Sequence, residues 1–479
     1  MSARRFPALG ALAAALLYAG IMAAAYPYRD VFAFDPDEGI NAGKALLLER
    51  GALLYAQVWN DQPPLFTYLL RGWCNVVGWT VADARLLVLL FAALLVFAVA
   101  DIGRLEGGPR AGAIAALAFA ASSLAPRLSV SLMIGLPAIA LATLAVWALF
   151  RWLHGGRDAW LPLAGALFAA SLATKLITAC LLPVVAAWLW LAAPPARRVR
   201  ALTLWLGSTL LVGAALLLAL VGPAHFDDLV RPHLAARSAP GLQKYGNGGL
   251  LVTTRAEWAL TALGWIAFAR LARQRRLRLL LFPAWVVAGA AALLAHHPVW
   301  YHHQLLLSVP YCPAIGVVLA DALARRRAGA PALRLAPAAA LLLLAGLAIQ
   351  HVFFTRPPAA DVDAAQAVAA LRAHLGARRV ALAGNAMYAF RAGATMPPAL
   401  AVLSGKRAAT DPGLERDVAA AFAGDAAPEV VLMTADMPAR VRAAVARGMA
   451  TRYVELPRDA LATATVAVRR DLLATAAPR

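Results

Sequence analysis

The sequence predicts an α-helical polytopic membrane protein of about eleven spans plus a partial one, followed by a small C-terminal α/β soluble domain. Three observations carry that expectation. Of 479 residues, 62% are hydrophobic and only 15% are charged. A soluble chain carries roughly 25% charged residues and about 45–50% apolar ones. Long apolar runs fill residues 1–353 and are missing from 354–479. Arginine clusters at 196–200, 270–278 and 324–329 separate the apolar runs, as cytoplasmic anchors do. A soluble enzyme, a disulfide scaffold and a disordered chain are thereby excluded. The net charge of +20 reads as an orientation signal towards the lipid bilayer and implies no nucleic acid. Cys74, Cys180 and Cys312 lie in apolar stretches, with no CxxC and no metal-ligand spacing.

A spanning helix needs about 20 apolar residues. Runs that approach this length lie at 6–26, 64–80, 84–101, 129–152, 160–174, 176–193, 201–222, 256–272, 278–297, 301–323 and 334–353. The run at 111–125 is too short and is expected to be re-entrant or partial. No polar cleavage region follows the first span, which is therefore read as retained. Placing residues 2–5, 194–200, 270–278 and 324–334 in the cytoplasm is self-consistent. That choice leaves 27–63, 223–255, 296–303 and the C-terminal domain, 354–479, on the opposite face. In the tail, helical stretches at 361–375, 413–423 and 437–448 alternate with strand-like runs at 378–384, 428–434, 451–456 and 464–468. At about 125 residues it is long enough to bury a core of its own.

The residues that carry chemistry fall on the outer face. Asp35, Asp37 and Glu38 stand within four positions just past the first span, and Asp61 directly precedes the second. Residues 38–50 mix Ile40, Leu46, Leu47 and Leu48 with Glu38, Asn41, Lys44 and Glu49, the pattern of a helix lying in the interface. Carboxylates beside large apolar surface acquire shifted pKa values and serve as general bases. They also solvate loops and cap helices, and Asp35 or Asp37 suits an N-cap. Lysine is scarce: four residues against 41 arginines. Lys44, Lys175 and Lys244 fall outside or at the outer membrane edge, and Lys175 sits in an apolar stretch, where an unpaired charge is expensive. The loop 223–255 holds Asp227, Asp228, Arg231, His233, Arg237, Lys244 and Tyr245 beside GNGG. It is either a mobile connector or a cationic cover over a cleft. The turn HHPVWYHH (296–303) offers four histidines without an acid at helical spacing, a poor zinc pattern, and Trp300 and Tyr301 suit an aromatic belt. His374 lies on an amphipathic helix and reads as structural.

The order DE, an amphipathic helix ending in ERG, then aromatic–acid–x–Pro-Pro-Leu before a span (32–70) resembles the first loop of polyprenyl-phosphate-dependent glycosyltransferases. These are the GT-C membrane enzymes, including the protein O-mannosyltransferase and lipid A aminoarabinose transferase group. Looser likenesses continue at ADARLL (82–87), SLATKLITACLLP (171–183), YHHQLLLSVPYCPAIGVVLA (301–320) and YAFRAGATMPPALAVLSGKR (388–407). The resemblance implies a GT-C-like fold and an inverting transfer of a sugar from a polyprenyl-phosphate donor to an acceptor hydroxyl. That acceptor would be an envelope glycolipid, a polysaccharide or a protein. The implied base is Asp37, supported by Glu38 and Asp61, with Asp35 as a further acid. The departing phosphate would be held by Lys175, Lys244, Tyr245, Arg231, His302 and His303.

Two departures stand out. Family members often carry a lysine where this chain has Gln62, and an acid where it has Gly135. The second removes one ligand of any metal site, so a divalent metal is not required and no cofactor is implied with certainty. Two other classes of function compete with transfer. A lipid-linked-sugar transporter or flippase would show paired broken helices in matching halves, which are not apparent here. A non-catalytic membrane scaffold whose tail binds a partner is the other alternative, kept open by Gln62 and Gly135.

Overall fold

The computed structural model describes residues 8–239, 242, 255–296, 298–325, 332–355, 362–424, 426–456 and 464–475. Among the described residues six helices are long and apolar enough to cross a membrane: Val81–Gly107, Gly135–Gly155, Pro195–Leu220, Leu277–Ala295, Tyr301–Arg325 and Leu335–Phe354. Shorter apolar helices at Leu9–Ala25, Pro109–Ala120, Trp160–Leu172 and Leu176–Ala192 complete the bundle. Val81–Gly107 is its axis, packed against Leu9–Ala25, Pro109–Ala120, Gly135–Gly155 and Tyr311–Arg325. The short run expected to be partial is the 12-residue helix Pro109–Ala120. Glycine and alanine let it wedge in: a Cβ on Gly316 would stand 3.0 Å from that of Ala115, and one on Gly103 3.2 Å from it. Without a hydrophobic drive between helices in lipid, such close approach is what holds them.

Several spans are interrupted where the sequence breaks them. The run expected at 129–152 becomes helical only from Gly135, because 130–134 is an irregular stretch committed to the outer face. The run at 176–193 opens with a 3-10 turn, Leu176–Cys180, before the helix Leu181–Ala192. The run at 301–323 divides into Tyr301–Gln304, Leu305–Ser308 and Tyr311–Arg325. Pro310 lacks an N–H and strikes the carbonyl one turn back, so the helix cannot run through it. That carbonyl, on Leu306, instead accepts a hydrogen bond from Trp285 Nε1 at 2.9 Å.

On the outer face the amphipathic segment forms the helix Pro36–Glu49. Asp35 caps it by accepting from the Asp37 N–H at 3.0 Å, and Pro36 takes the first turn, where its missing N–H costs nothing. The helix lies over the bundle and under the C-terminal segment, where a second hydrophobic core gathers Leu371, Leu382, Val418, Val431, Val445 and Val466. Strands β1 (Ala381–Ala383), β2 (Val430–Thr434), β3 (Tyr453–Glu455) and β4 (Ala464–Arg469) form one sheet in the order β1-β2-β4-β3. β1 runs parallel to β2, and β4 is antiparallel to both β2 and β3. Helices Val362–His374, Leu414–Phe422 and Ala439–Met449 accompany the sheet.

Two arginines fasten this tail to the first outer loop. Arg391 donates to the Val31 and Phe32 carbonyls at 2.8 and 2.9 Å. Arg407, fully buried, pairs with Asp411 and Asp417 and lays its guanidinium over Trp59 at 5.1 Å.

Candidate active site

The outer loops and the C-terminal segment enclose a cavity of about 910 Å³. Its wall draws on the start of helix Pro36–Glu49, on Asp61, on the break before Leu176 and on the turn at 296–303. The helix Arg231–Ala236 and the turn before Gly405–Thr410 close it. The backbone N–H of Leu65 donates to the Ala173 carbonyl at 3.0 Å, tying the segment after Asp61 to the one that carries Lys175.

Four acids expected at the site take four different positions. Asp37 lines the cavity, and among the described residues its carboxylate makes no hydrogen bond. The side chain is exposed to the cavity, with protein packed densely around it. That seclusion, then the charge of Asp35, lifts its carboxyl to about 7, with Lys175 and Lys44 pulling the other way. Asp35 is committed to structure: one oxygen caps the helix and the other accepts from Tyr301 Oη at 3.1 Å. Burial raises its carboxyl as well.

Glu38, expected as a supporting carboxylate, does not reach the cavity. It is fully buried beneath it and pairs with Arg85 at 2.8 Å. Its oxygens also accept from the Phe34 and Leu132 N–H groups at 2.6 and 2.8 Å. Arg85 in turn donates to the Tyr28 and Val31 carbonyls. With both oxygens saturated, Glu38 has no lone pair left for a reacting proton; it anchors the loop to the helix Val81–Gly107.

Asp61 lines the cavity and forms an ion pair with Lys406 at 2.6 Å. Burial alone would raise its carboxyl, but the Lys406 ammonium outweighs it, foremost among the lowering influences, and Asp61 stays below the usual range.

The cations divide similarly. Lys175 Nζ lies 3.3 Å from His302 Nε2 and 3.2 Å from His303 Nε2, so three expected phosphate ligands share one corner of the cavity. Burial lowers the Lys175 ammonium to about 8, against the pull of Asp37. A Cβ on Gly135 would stand 4.0 Å from Lys175 Nζ and 3.9 Å from His302 Cδ2, so the missing side chain leaves room directly over this group. Lys44 lines the same cavity and donates to Asn60 Oδ1 at 2.9 Å. Arg231 belongs to the short helix Arg231–Ala236 but is exposed and away from the cavity wall, whereas His233 and Arg237 line it. Lys244 and Tyr245 lie outside the described residues.

Three further residues at or beside the cavity were given no role from the sequence. Lys406 was the remaining lysine of four, and that scarcity was the available signal. His296 lines the wall, and burial followed by the nearby Lys175 charge lowers it to about 4. Arg127 stacks its guanidinium over Tyr301 at 4.7 Å and donates to the Phe34 carbonyl. Nothing in its sequence surroundings singled it out. Among the described residues no group of three or more His, Cys, Asp or Glu is placed to hold a metal ion.

Residues 61–223 match the family of dolichyl-phosphate-mannose-protein mannosyltransferases. No curated protein sequence is matched. Among solved structures the chain is similar to ArnT from Cupriavidus metallidurans bound to undecaprenyl phosphate. The identity is 14% and the TM-score 0.66, over 97% of this chain and 98% of that one. It is also similar to the apo oligosaccharyltransferase of Archaeoglobus fulgidus, at 13% identity and TM-score 0.57 over 92% of this chain and 71% of that one. A third likeness is to AglB of the same archaeon with an inhibitory peptide and a dolichol-phosphate. There the values are 14% and 0.54, over 94% of this chain and 73% of that one. The chain thus shares, along nearly its whole length, the fold of ArnT and of the archaeal oligosaccharyltransferase.

Proposed function

We propose that the chain is a membrane glycosyltransferase of the GT-C kind, which moves a sugar from a polyprenyl-phosphate donor to an acceptor hydroxyl with inversion; the family match over 61–223 and the likeness to ArnT support the reading. The acceptor is an envelope glycolipid, a polysaccharide or a protein. The reaction takes place on the periplasmic face of a bacterial inner membrane, with the N-terminus cytoplasmic. One observation carries the chemical assignment: Asp37 faces the cavity with an uncommitted carboxylate tuned to about 7. In the transfer, the acceptor oxygen attacks the anomeric carbon and its proton passes to Asp37. The bond from that carbon to the phosphate oxygen breaks, and its electron pair leaves with the lipid phosphate. A phosphate is a competent leaving group, so it needs charge stabilisation more than protonation.

Lys175, seated between His302 and His303, supplies that stabilisation as a compact point charge. Glu38 and Asp35 act indirectly, by fixing the first turn of the helix that presents Asp37.

The test is Asp37→Asn in the full chain, assayed for transfer from a polyprenyl-phosphate sugar. General-base catalysis contributes about 10²–10⁴-fold, so transfer should fall by that range while membrane expression and monodispersity persist. Unchanged transfer would remove Asp37 from the mechanism.

A further inference from the structure

Lys406 is the lone lysine of residues 354–479. It sits in the first turn of the helix Gly405–Thr410 and lines the cavity. Its ammonium lies 2.6 Å from Asp61 Oδ2 and 2.9 Å from His233 Nδ1.

The second contact settles how the ammonium is used. His233 Nε2 stands 2.9 Å from the Asp61 backbone carbonyl, which only accepts, so Nε2 carries the ring proton. Nδ1 then offers a lone pair, and Lys406 donates to it. Two of the three ammonium N–H bonds are therefore occupied. Among the described residues no partner takes the third, although the side chain is only 14% exposed and sits on the cavity wall.

A clasp between the C-terminal segment and the first loop needs only the bond to Asp61. A neutral imidazole that fixes the ammonium's direction, and a spare donor at the cavity wall, suit a ligand anion.

We propose that Lys406 is a ligand of the donor's phosphate, supplied by the C-terminal domain across the cavity from the membrane helices. This rests on the polyprenyl-phosphate reading above. The phosphate site is then complete only when the domain is docked, and residues 354–479 are part of the donor site rather than a cover over it. Asp61 keeps the ammonium charged and positioned while the cavity holds no donor. It competes with phosphate for the same cation, so its negative charge works against donor binding.

The two roles predict opposite signs for two substitutions. With the purified full chain in nanodiscs and undecaprenyl phosphate as probe, native mass spectrometry reads the dissociation constant. Lys406→Met should weaken binding about tenfold or more, the scale of a charge-assisted hydrogen bond. Lys406→Arg should restore most of it, and Asp61→Asn should bind as tightly as the unsubstituted protein or more tightly. The proposal is overturned if Lys406→Met binds like the unsubstituted protein. It is equally overturned if Asp61→Asn weakens binding as much as Lys406→Met, which is the signature of a clasp alone. Should Lys406→Met not fold, the Asp61→Asn arm decides by itself, and weaker binding than the unsubstituted protein there overturns the proposal. Failure of the unsubstituted protein to bind the probe would overturn the polyprenyl-phosphate reading, and this proposal with it.

Discussion

At the scale of single residues, neighbouring carboxylates of one loop are sorted by what surrounds them. Glu38 is exhausted by Arg85 and two backbone N–H groups, Asp35 by a cap and a tyrosine, and Asp37 alone keeps its oxygens for the cavity. The cost of that freedom fixes a pH dependence. A base must be ionised, so with Asp37 at about 7 the transfer rate should fall roughly tenfold per pH unit below that value and level off above it. The same shift has a stability consequence of known sign. A carboxyl held above its unfolded value disfavours the fold once ionised; the penalty is full above about 7 and fades as pH falls towards its ordinary value. Asp37→Asn should therefore melt higher than the unsubstituted protein at pH 8, with the gap closing towards pH 4. Melting curves at the two pH values check this, and a constant gap would mean the Asp37 carboxyl is not shifted. Asp37 was legible in the sequence because its position just past the first span exposes it to both water and apolar surface. The fate of Glu38 was not, because Arg85 reaches it from a helix 47 residues away.

At the scale of elements, alternation and apolar run length marked the helices and the four strands in their correct order, and missed where helices break. Apolar length says nothing of Pro310 freeing a carbonyl for Trp285, nor of 130–134 leaving the bundle to meet Asn41 and Glu38. The contact that closes the site was equally invisible. Helix Pro36–Glu49 packs on Ala386–Arg391, and a Cβ on Gly39 would overlap the backbone at Met387. Glycine is thus required there for approach, not for backbone freedom. Gly39→Val should force the two helices apart and cost at least about 1–3 kcal/mol. It should expose Ala386–Arg391 and Pro36–Glu49 to limited proteolysis while Val81–Gly107 and its neighbours stay protected. A protection pattern unchanged from the parent chain would show that this helix contact is not what holds the domain, leaving that to the polar contacts of Arg391, Arg407, Arg50 and Lys406.

Across the whole molecule, charge is divided between two ends. Asp35, Asp37, Asp61, Lys175, His233 and His303 meet around the cavity. The Arg-rich connections gather at the other ends of the helices. There Arg276 pairs with Asp321 at 2.8 Å and donates to the Glu106 carbonyl at 2.9 Å, and Arg200 pairs with Asp158 at 2.8 Å. The sequence revealed that division because arginine between apolar runs is counted without knowing any contact. It could not reveal Lys406 meeting Asp61, which are 345 residues apart. Excess arginine at one end retains that end in the cytoplasm, since moving it across the bilayer opposes the membrane potential. The cavity and the C-terminal domain should then share the opposite face. Fusing alkaline phosphatase after Arg479 should give active enzyme, and fusing green fluorescent protein there should leave cells dark. The same pair fused within 196–200 should give the reverse. A fluorescent C-terminal fusion would put the cavity on the cytoplasmic side, where Asp37 would meet a donor before it crosses the bilayer, and the proposed acceptors would have to be cytoplasmic ones.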